Sequence, residues 1–131
     1  MSHRILIVDD EANHRRSLSI SLRMEGYEVV EAADGEHALV MLAEQPVDIV
    51  ICDLMMPRID GLELARRLRF AYPRTRVVLM SAYHLTRAQL ERAQVGDIGF
   101  LPKPYEFAQL QAQLARCTSS EDPSSGFAAA L

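Results

Sequence analysis

Short apolar runs alternate along this chain with longer segments in which apolar residues recur every three or four positions. The runs predict five strands, at residues 4–8, 27–31, 47–52 and 76–80 and within 96–101. The longer segments predict five helices, at about residues 12–25, 37–44, 61–72, 86–93 and 106–117. Gly26, Pro46 and Pro73 mark the ends of the first three helices, since none of them continues a helix readily. The pattern therefore predicts an α/β protein.

The order of the strands in the sheet follows from their composition. Strands that alternate with helices predict parallel pairing, with helices on both faces of the sheet. The first strand, RILIV, is almost wholly apolar, which is typical of a central strand, whereas glutamates in the second, YEVVE, favour an edge. We therefore expect a flavodoxin-like, doubly wound, five-stranded parallel sheet in the order 2-1-3-4-5 with five helices.

Polar residues follow the apolar runs directly at four strands. Asp9 and Asp10 come after the first strand, Asp53 after the third, Ser81 after the fourth and Lys103 just past the fifth. In the expected order the carboxyl ends of strands one and three face one crevice, so these side chains are predicted neighbours. Taken alone, Asp53 could equally cap a turn, as aspartate often does.

This group of residue types suits phosphoryl transfer. Three carboxylates in a partly desolvated crevice repel one another, so protons or a cation must neutralise them. Oxygen ligands without nearby histidine or cysteine suit Mg²⁺. Lys103 adds a mobile positive charge and Ser81 a hydroxyl donor. A carboxylate nucleophile, a metal, a lysine and a hydroxyl are together the groups that phosphoryl transfer to an aspartate requires.

Composition excludes several other classes of protein. The chain has 131 residues, of which 49% are hydrophobic and 24% charged, as in a single soluble domain. A net charge of −4 argues against direct binding of nucleic acid, which needs a clustered basic face. No apolar run approaches the roughly 20 residues of a membrane span, and the N-terminus leads straight into a strand without a signal peptide. A cytoplasmic location is expected.

The cysteines and histidines give no metal-ligand pattern. Cys52 lies in a predicted central strand and Cys117 at the end of the last helix, so free thiols are expected. The four histidines are scattered and are expected at the surface, with His84 nearest the site. Residues 118–131 begin with a Ser/Pro/Gly-rich segment, which predicts a flexible tail or the start of an interdomain linker after a domain of residues 1–117.

The motifs resemble those of the receiver (phosphoacceptor) domain of bacterial two-component response regulators. Asp9 and Asp10 in ILIVDDE match the acidic pair of that family. Asp53 in DIVICDLMMPRIDG matches its phosphoacceptor, Ser81 in VVLMSA its hydroxyl residue and Lys103 in FLPKP its lysine. Each motif alone is weak, but four in this order on successive strand ends are a strong match.

The resemblance covers residues 4 to about 117 and implies a mechanism. Asp53 would accept a phosphoryl group from the phosphohistidine of a sensor histidine kinase or phosphotransfer protein, in a phosphorelay that depends on Mg²⁺. Asp10, Asp53 and the main-chain carbonyl of Met55 would hold the metal, with Asp9 acting through water. The chain would thus be a signalling switch that assists its own phosphorylation and dephosphorylation, rather than an enzyme.

The resemblance also implies how the switch acts. Lys103 and the Ser81 hydroxyl would bind the phosphoryl oxygens, and Pro104 permits a cis bond after Lys103. Phe100 matches the family's switch aromatic and would move with Ser81, which changes the face of helix four, strand five and helix five. That face would act on a downstream protein or on a C-terminal output domain, and phosphorylation can also drive homodimer formation. No membrane contact is implied.

Two residues depart from the family pattern. Met55 and Tyr83 lie two positions after Asp53 and Ser81, where receivers that lose the phosphoryl group quickly often have an amide and an acid. Met55 cannot orient water in that way and Tyr83 would shield the site, so slow self-dephosphorylation is expected. Phe100 also lacks the hydroxyl of a tyrosine.

Three rival functions fit parts of the sequence less well. A flavodoxin-like electron carrier would need a phosphate cradle after strand one, where residues 9–11 are acidic. A phosphatase that forms an aspartyl phosphate would typically have a second acid where Met55 stands. The chain could also be part of a longer transcription factor, although residues 118–131 are too few for a DNA-binding domain.

Overall fold

The computed structural model describes residues 3–118, which form ten elements. They are β1 (Arg4–Val8), α1 (Ala12–Met24), β2 (Glu28–Ala32), α2 (Gly35–Glu44), β3 (Ile49–Asp53), α3 (Gly61–Ala71), β4 (Arg76–Ser81), α4 (Arg87–Ala93), β5 (Gly99–Pro102) and α5 (Phe107–Thr118). The predicted type and order of all ten are confirmed. Thr118 belongs to α5, and the rest of the predicted tail, residues 119–131, lies outside the described residues.

The five strands form one parallel sheet in the order β2-β1-β3-β4-β5, which confirms the flavodoxin-like topology. The register brings the carboxyl ends of the strands to one edge. Val8 pairs with both Ala32 and Cys52, and Ser81 pairs with Pro102. Residues just past these positions therefore lie on the same edge of the sheet.

Side chains alternate between the two faces of the sheet and form two core layers. Leu6 and Val8 of β1 pack on one face with α2 and α3, whereas Ile5 and Ile7 pack on the other with α1 and α5. Residues 5–8 are all 0% exposed. A strand covered by helices on both faces has no solvent side, which explains why β1 is a continuous apolar run.

Side-chain caps fix the starts of three helices. Asp34 accepts a hydrogen bond from the His37 amide, so α2 begins at Gly35, two residues before its predicted start. Asp60 caps α3 through the Glu63 amide. The carboxylate of Glu63 accepts hydrogen bonds from arginines on the next turn of α3, and these bonds lower its pKa. Thr86 forms a full capping box at α4.

Both cysteines are free thiols, as expected. Burial raises the pKa of Cys52 in β3 to about 12, and the nearby charges of Asp53 and Asp60 contribute to this rise. Burial also raises the pKa of Cys117 in α5 to about 11. Among residues 3–118, no helix is long and apolar enough to cross a membrane.

Candidate functional site

The structure brings the predicted phosphoacceptor and the predicted lysine into direct contact. Asp53 is the last residue of β3, and Lys103 follows β5, 50 positions later in the sequence. Lys103 Nζ lies 2.7 Å from Asp53 Oδ2. The Lys103 amide donates to the carbonyl of Ser81 at 2.8 Å, which fixes the lysine beside the end of β4. The two side chains are 27% and 13% exposed, so the pair is accessible but partly desolvated.

The backbone around Asp53 is tightly held. The Leu54 amide donates to the carbonyl of Met80 at 2.8 Å, and the Gly61 amide closes the loop by donating to the carbonyl of Leu54 at 2.9 Å. A Cβ atom on Gly61 would lie 2.6 Å from the carbonyl oxygen of Asp53. Glycine at this position therefore allows α3 to start directly against the end of β3.

The two acids after β1 have different environments. Asp9 is 1% exposed, and its Oδ1 accepts a hydrogen bond from the Glu11 amide at 2.9 Å. Its Oδ2 is bound by the imidazole of His14. Asp10 is exposed and makes no hydrogen bond or ion pair within residues 3–118. Asp9 is thus engaged by the protein, whereas the carboxylate of Asp10 is open to a ligand.

His14 was expected at the surface; its side chain is 27% exposed, and its ring also engages two residues of the site. Its Nδ1 contacts Asp9, and its Nε2 lies 3.1 Å from the Tyr105 hydroxyl. Because a carboxylate only accepts hydrogen bonds, Nδ1 is the nitrogen that donates. Burial raises the pKa of Tyr105, and the charges of Asp9 and Asp53 raise it further, so its hydroxyl stays protonated. His84, expected nearest the site, is exposed.

Arg15 is a second residue that the sequence did not single out for the site. Its guanidinium donates to the carbonyl of Asp9 at 2.7 Å and pairs with Glu31 of β2 at 3.1 Å. It therefore fixes the main chain of the acidic pair against the edge strand. Position in the first turns of α1 is the only sequence signal that could have indicated His14 or Arg15, because their partners come from distant segments.

The predicted switch residues lie on β4 and β5. Ser81 is 1% exposed, and its hydroxyl accepts a hydrogen bond from the Tyr83 amide at 2.8 Å. Phe100 is half-buried on β5, and its carbonyl accepts from Gln113 of α5 at 3.2 Å. The bond between Lys103 and Pro104 is cis, as the family resemblance implies.

An open groove of about 560 Å³ lies beside Lys103. It is lined by Glu11, His14, Ala82, Lys103, Pro104 and Tyr105. Met55 and Tyr83, which follow the strands that end in Asp53 and Ser81, are 57% and 61% exposed. The site is therefore open to a partner.

The resemblance implies a metal site of two carboxylates, Asp10 and Asp53, and the main-chain carbonyl of Met55. Within residues 3–118, no three His, Cys, Asp or Glu side chains are close enough together to hold a metal ion. His14 and the Glu11 amide already engage Asp9. Asp53 accepts hydrogen bonds from Lys103 Nζ at Oδ2 and from the Met55 amide at Oδ1, whereas Asp10 is exposed. Mg²⁺ typically binds through one or two carboxylates and keeps several waters, so these two carboxylates fit Mg²⁺ chemically.

Comparisons with known proteins agree with this geometry. A family profile for the response regulator receiver domain matches residues 5–115. Response regulator MprA of Mycobacterium bovis (strain BCG / Pasteur 1173P2) is 38% identical over an alignment of 131 positions that covers 98% of this chain and 57% of that protein. MprA of Mycobacterium ulcerans (strain Agy99) is 39% identical over an alignment of 125 positions that covers 93% of this chain and 54% of that protein. The chain thus spans little more than half the length of these relatives.

Solved structures give the same result. Chemotaxis protein CheY4 of Vibrio cholerae superposes with a TM-score of 0.81 at 31% identity, covering 89% of this chain and 99% of that one. Response regulator TrrA of Thermotoga maritima, solved in complex with Mg²⁺–BeF, gives a TM-score of 0.78 at 35% identity, with 88% and 98% covered. Sequence, fold and site therefore agree: the chain belongs to the receiver domains of two-component response regulators.

Proposed function

We propose that Asp53 accepts a phosphoryl group from the phosphohistidine of a sensor histidine kinase or phosphotransfer protein. The observation that carries this proposal is the 2.7 Å contact between Lys103 Nζ and Asp53 Oδ2 at the carboxyl edge of the sheet. An exposed carboxylate needs no such partner, whereas a carboxylate that becomes an acyl phosphate needs a cation already in place.

The transfer is a displacement at phosphorus. An oxygen of Asp53 attacks the phosphorus, the new O–P bond forms, and the P–N bond to the donor imidazole breaks. The imidazole nitrogen keeps the electron pair of the broken bond and takes up a proton. Lys103 then contacts the phosphoryl oxygens instead of the free carboxylate, and the Ser81 hydroxyl donates to another phosphoryl oxygen.

Asp10, Asp53 and the main-chain carbonyl of Met55 would hold a Mg²⁺ ion. When bound, such an ion neutralises charge on the phosphoryl oxygens. Asp9 would act through water, as the family resemblance implies; its carboxylate is 1% exposed and is held by His14 and the Glu11 amide. The Mg²⁺–BeF complex of TrrA supports this assignment by analogy.

Phosphorylation would then change an output face. The Ser81 hydroxyl would leave the Tyr83 amide for the phosphoryl group, and Phe100 would rotate into the space it vacates. This movement would change the face formed by α4, β5 and α5. A downstream protein, an output domain or a second copy of the chain would then bind the changed face. Beryllofluoride titration should therefore shift the NMR signals of Phe100 and α5, and unchanged signals would contradict the switch.

The remaining assignments extend this proposal. The receiver, expected over residues 1–117, would extend to Thr118, the last residue of α5, and residues 119–131 would form a tail or linker. The chain would act in the cytoplasm, bind neither nucleic acid nor membrane directly, and assist its own phosphorylation and dephosphorylation without being an enzyme.

The test is intact-mass analysis after incubation with acetyl phosphate, with and without Mg²⁺. Wild type should gain one phosphoryl group only with Mg²⁺, and Asp53→Asn should gain none. Asp60→Asn is the matched control: Asp60 is exposed and caps α3, and asparagine caps equally well, so this variant should react like wild type. A folded wild type that does not react would contradict the proposal and indicate a binding module that is independent of phosphorylation.

A further inference from the structure

One arginine ties the loop between β3 and α3 to the start of α2. Arg58 Nη2 lies 3.1 Å from Asp34 Oδ2, and Arg58 Nε lies 2.7 Å from Glu36 Oε1. Arg58 has a φ of +67°, in the left-handed region that side-chain-bearing residues rarely adopt. A residue in a strained backbone conformation is therefore tied by its side chain to two acids at the start of α2.

The same loop also packs against the start of α2 through Ile59, the residue that follows Arg58. Ile59 is 8% exposed, and a Cβ atom on Gly35 would lie 2.9 Å from the Ile59 side chain. Glycine at the first position of α2 therefore admits the loop. Asp34 has two roles here, because its Oδ1 caps α2 through the His37 amide while its Oδ2 receives Arg58. The loop and the start of α2 form one unit.

This loop carries the main-chain carbonyl that would bind Mg²⁺. The Met55 side chain is 57% exposed and does not anchor the segment itself. We propose that Arg58 is a positioning residue, which clamps the loop to α2 and thereby holds the Met55 carbonyl in place for Mg²⁺. This proposal rests on the proposed function of the site.

The sign of the effect separates clamping from simple electrostatics. Removing a positive charge near a cation site reduces repulsion, so electrostatics alone would strengthen Mg²⁺ binding. Loss of a clamp would weaken binding, because ordering a loosened loop costs conformational entropy when the metal binds. A fall in affinity on removal of Arg58 therefore points to positioning.

The test uses Arg58→Gly in the full chain. Glycine adopts positive φ freely, so this variant removes the ion pairs without straining the backbone. We expect Mg²⁺ affinity, measured by calorimetry, to fall about three- to tenfold, the range that two exposed ion pairs supply. In the metal-free protein, the Gly61 amide, which closes the loop on Leu54, should exchange faster with solvent. Arg67→Ala, which removes an exposed ion pair with Glu63 on α3, is the matched control and should change neither quantity.

A second variant tests the partner. Glu36→Gln removes the shorter of the two ion pairs that Arg58 makes. The double variant Glu36→Gln/Arg58→Gly should therefore bind Mg²⁺ about as weakly as Arg58→Gly alone. If the reductions in Mg²⁺ affinity caused by the two single substitutions multiply in the double variant, the proposal is overturned. Unchanged or raised Mg²⁺ affinity in Arg58→Gly would also overturn it, and so would an unchanged exchange rate of the Gly61 amide. A wild type that binds no Mg²⁺ would instead overturn the proposed function itself.

Discussion

The imidazole of His14 binds the buried carboxylate of Asp9, and the Glu11 amide donates to the other oxygen of the same carboxylate. Asp10, the next residue, is exposed. Two adjacent acids on one motif therefore have different environments. Asp9 is buried and held by the protein, while the side chain of Asp10 is exposed.

His14→Leu should destabilise the protein, because it leaves an oxygen of a buried carboxylate without its donor. The expected loss in free energy of unfolding is about 1–3 kcal/mol, measured by urea denaturation with EDTA present. Tyr105→Phe removes only the outer hydroxyl at Nε2, so its loss should be smaller, about 1 kcal/mol. Equal stability of His14→Leu and wild type would show that the contact contributes nothing.

Gly61→Ala should lower both stability and phosphorylation. The added Cβ would lie 2.6 Å from the Asp53 carbonyl oxygen and 2.6 Å from Leu79 Cδ1. Forcing this contact apart should cost about 1–3 kcal/mol and displace the phosphoacceptor. Phosphoryl uptake from acetyl phosphate, followed by intact mass, should be slower than in wild type.

Gly26→Ala is the control for that variant. Gly26 has a φ of +97°, and a Cβ atom added there would meet no other atom within 4 Å, so alanine costs backbone strain of about 1–2 kcal/mol without any clash. Its phosphoryl uptake should equal that of wild type. Equal slowing in both variants would mean that general destabilisation, rather than displacement of Asp53, explains the effect.

Met55→Asn/Tyr83→Glu should shorten the lifetime of the phosphorylated form. Both wild-type side chains are exposed. Met55 cannot orient a water molecule for attack on the acyl phosphate, and Tyr83 would shield the site. An amide and an acid at these positions should speed hydrolysis about tenfold or more, as positioned polar groups do. The decay of the phosphorylated mass after removal of the donor measures this rate. Faster decay in wild type than in the variant would contradict the account.

Alkaline pH should destabilise the fold through its two thiols. Burial raises the pKa of Cys52 to about 12 and of Cys117 to about 11, from an ordinary value of 9.0. Above pH 9 the unfolded chain therefore loses thiol protons that the folded chain keeps, and stability falls as pH rises through the folded pKa values. The expected slope is up to about 1.4 kcal/mol per pH unit for each thiol.

Denaturation midpoints at pH 8, 9 and 10 measure this slope. Cys52→Ala should lower overall stability by removing a buried side chain, yet flatten the loss between pH 9 and 10. A slope that is unchanged in Cys52→Ala would exclude this thiol as its source.

The sheet order and the central contact were predictable from the sequence. Apolar runs that end in polar residues place functional side chains on one edge of a parallel sheet, and the register confirms this for Asp53 and Ser81. The contact between Asp53 and Lys103 follows directly, because β3, β4 and β5 are successive neighbours in the sheet.

Other features of the site could not be predicted in this way. His14 reaches Tyr105 across 91 positions, and Arg58 reaches Asp34 across 24. Such contacts depend on how helices and loops from distant segments come together, and no local spacing encodes that. The unequal burial of Asp9 and Asp10 was equally unpredictable. Two adjacent aspartates cannot be distinguished by sequence pattern, because their burial depends on tertiary contacts such as that between Asp9 and His14.

Locating the phosphoryl group on the chain tests directly whether Asp53 is the phosphoacceptor. Wild type would be incubated with acetyl phosphate and Mg²⁺, reduced with borohydride, which converts an aspartyl phosphate to homoserine, and mapped by peptide mass spectrometry. The account predicts homoserine at position 53 and at no other aspartate. Homoserine at Asp9, Asp10 or Asp60 in place of Asp53, or none in a folded protein, would contradict it.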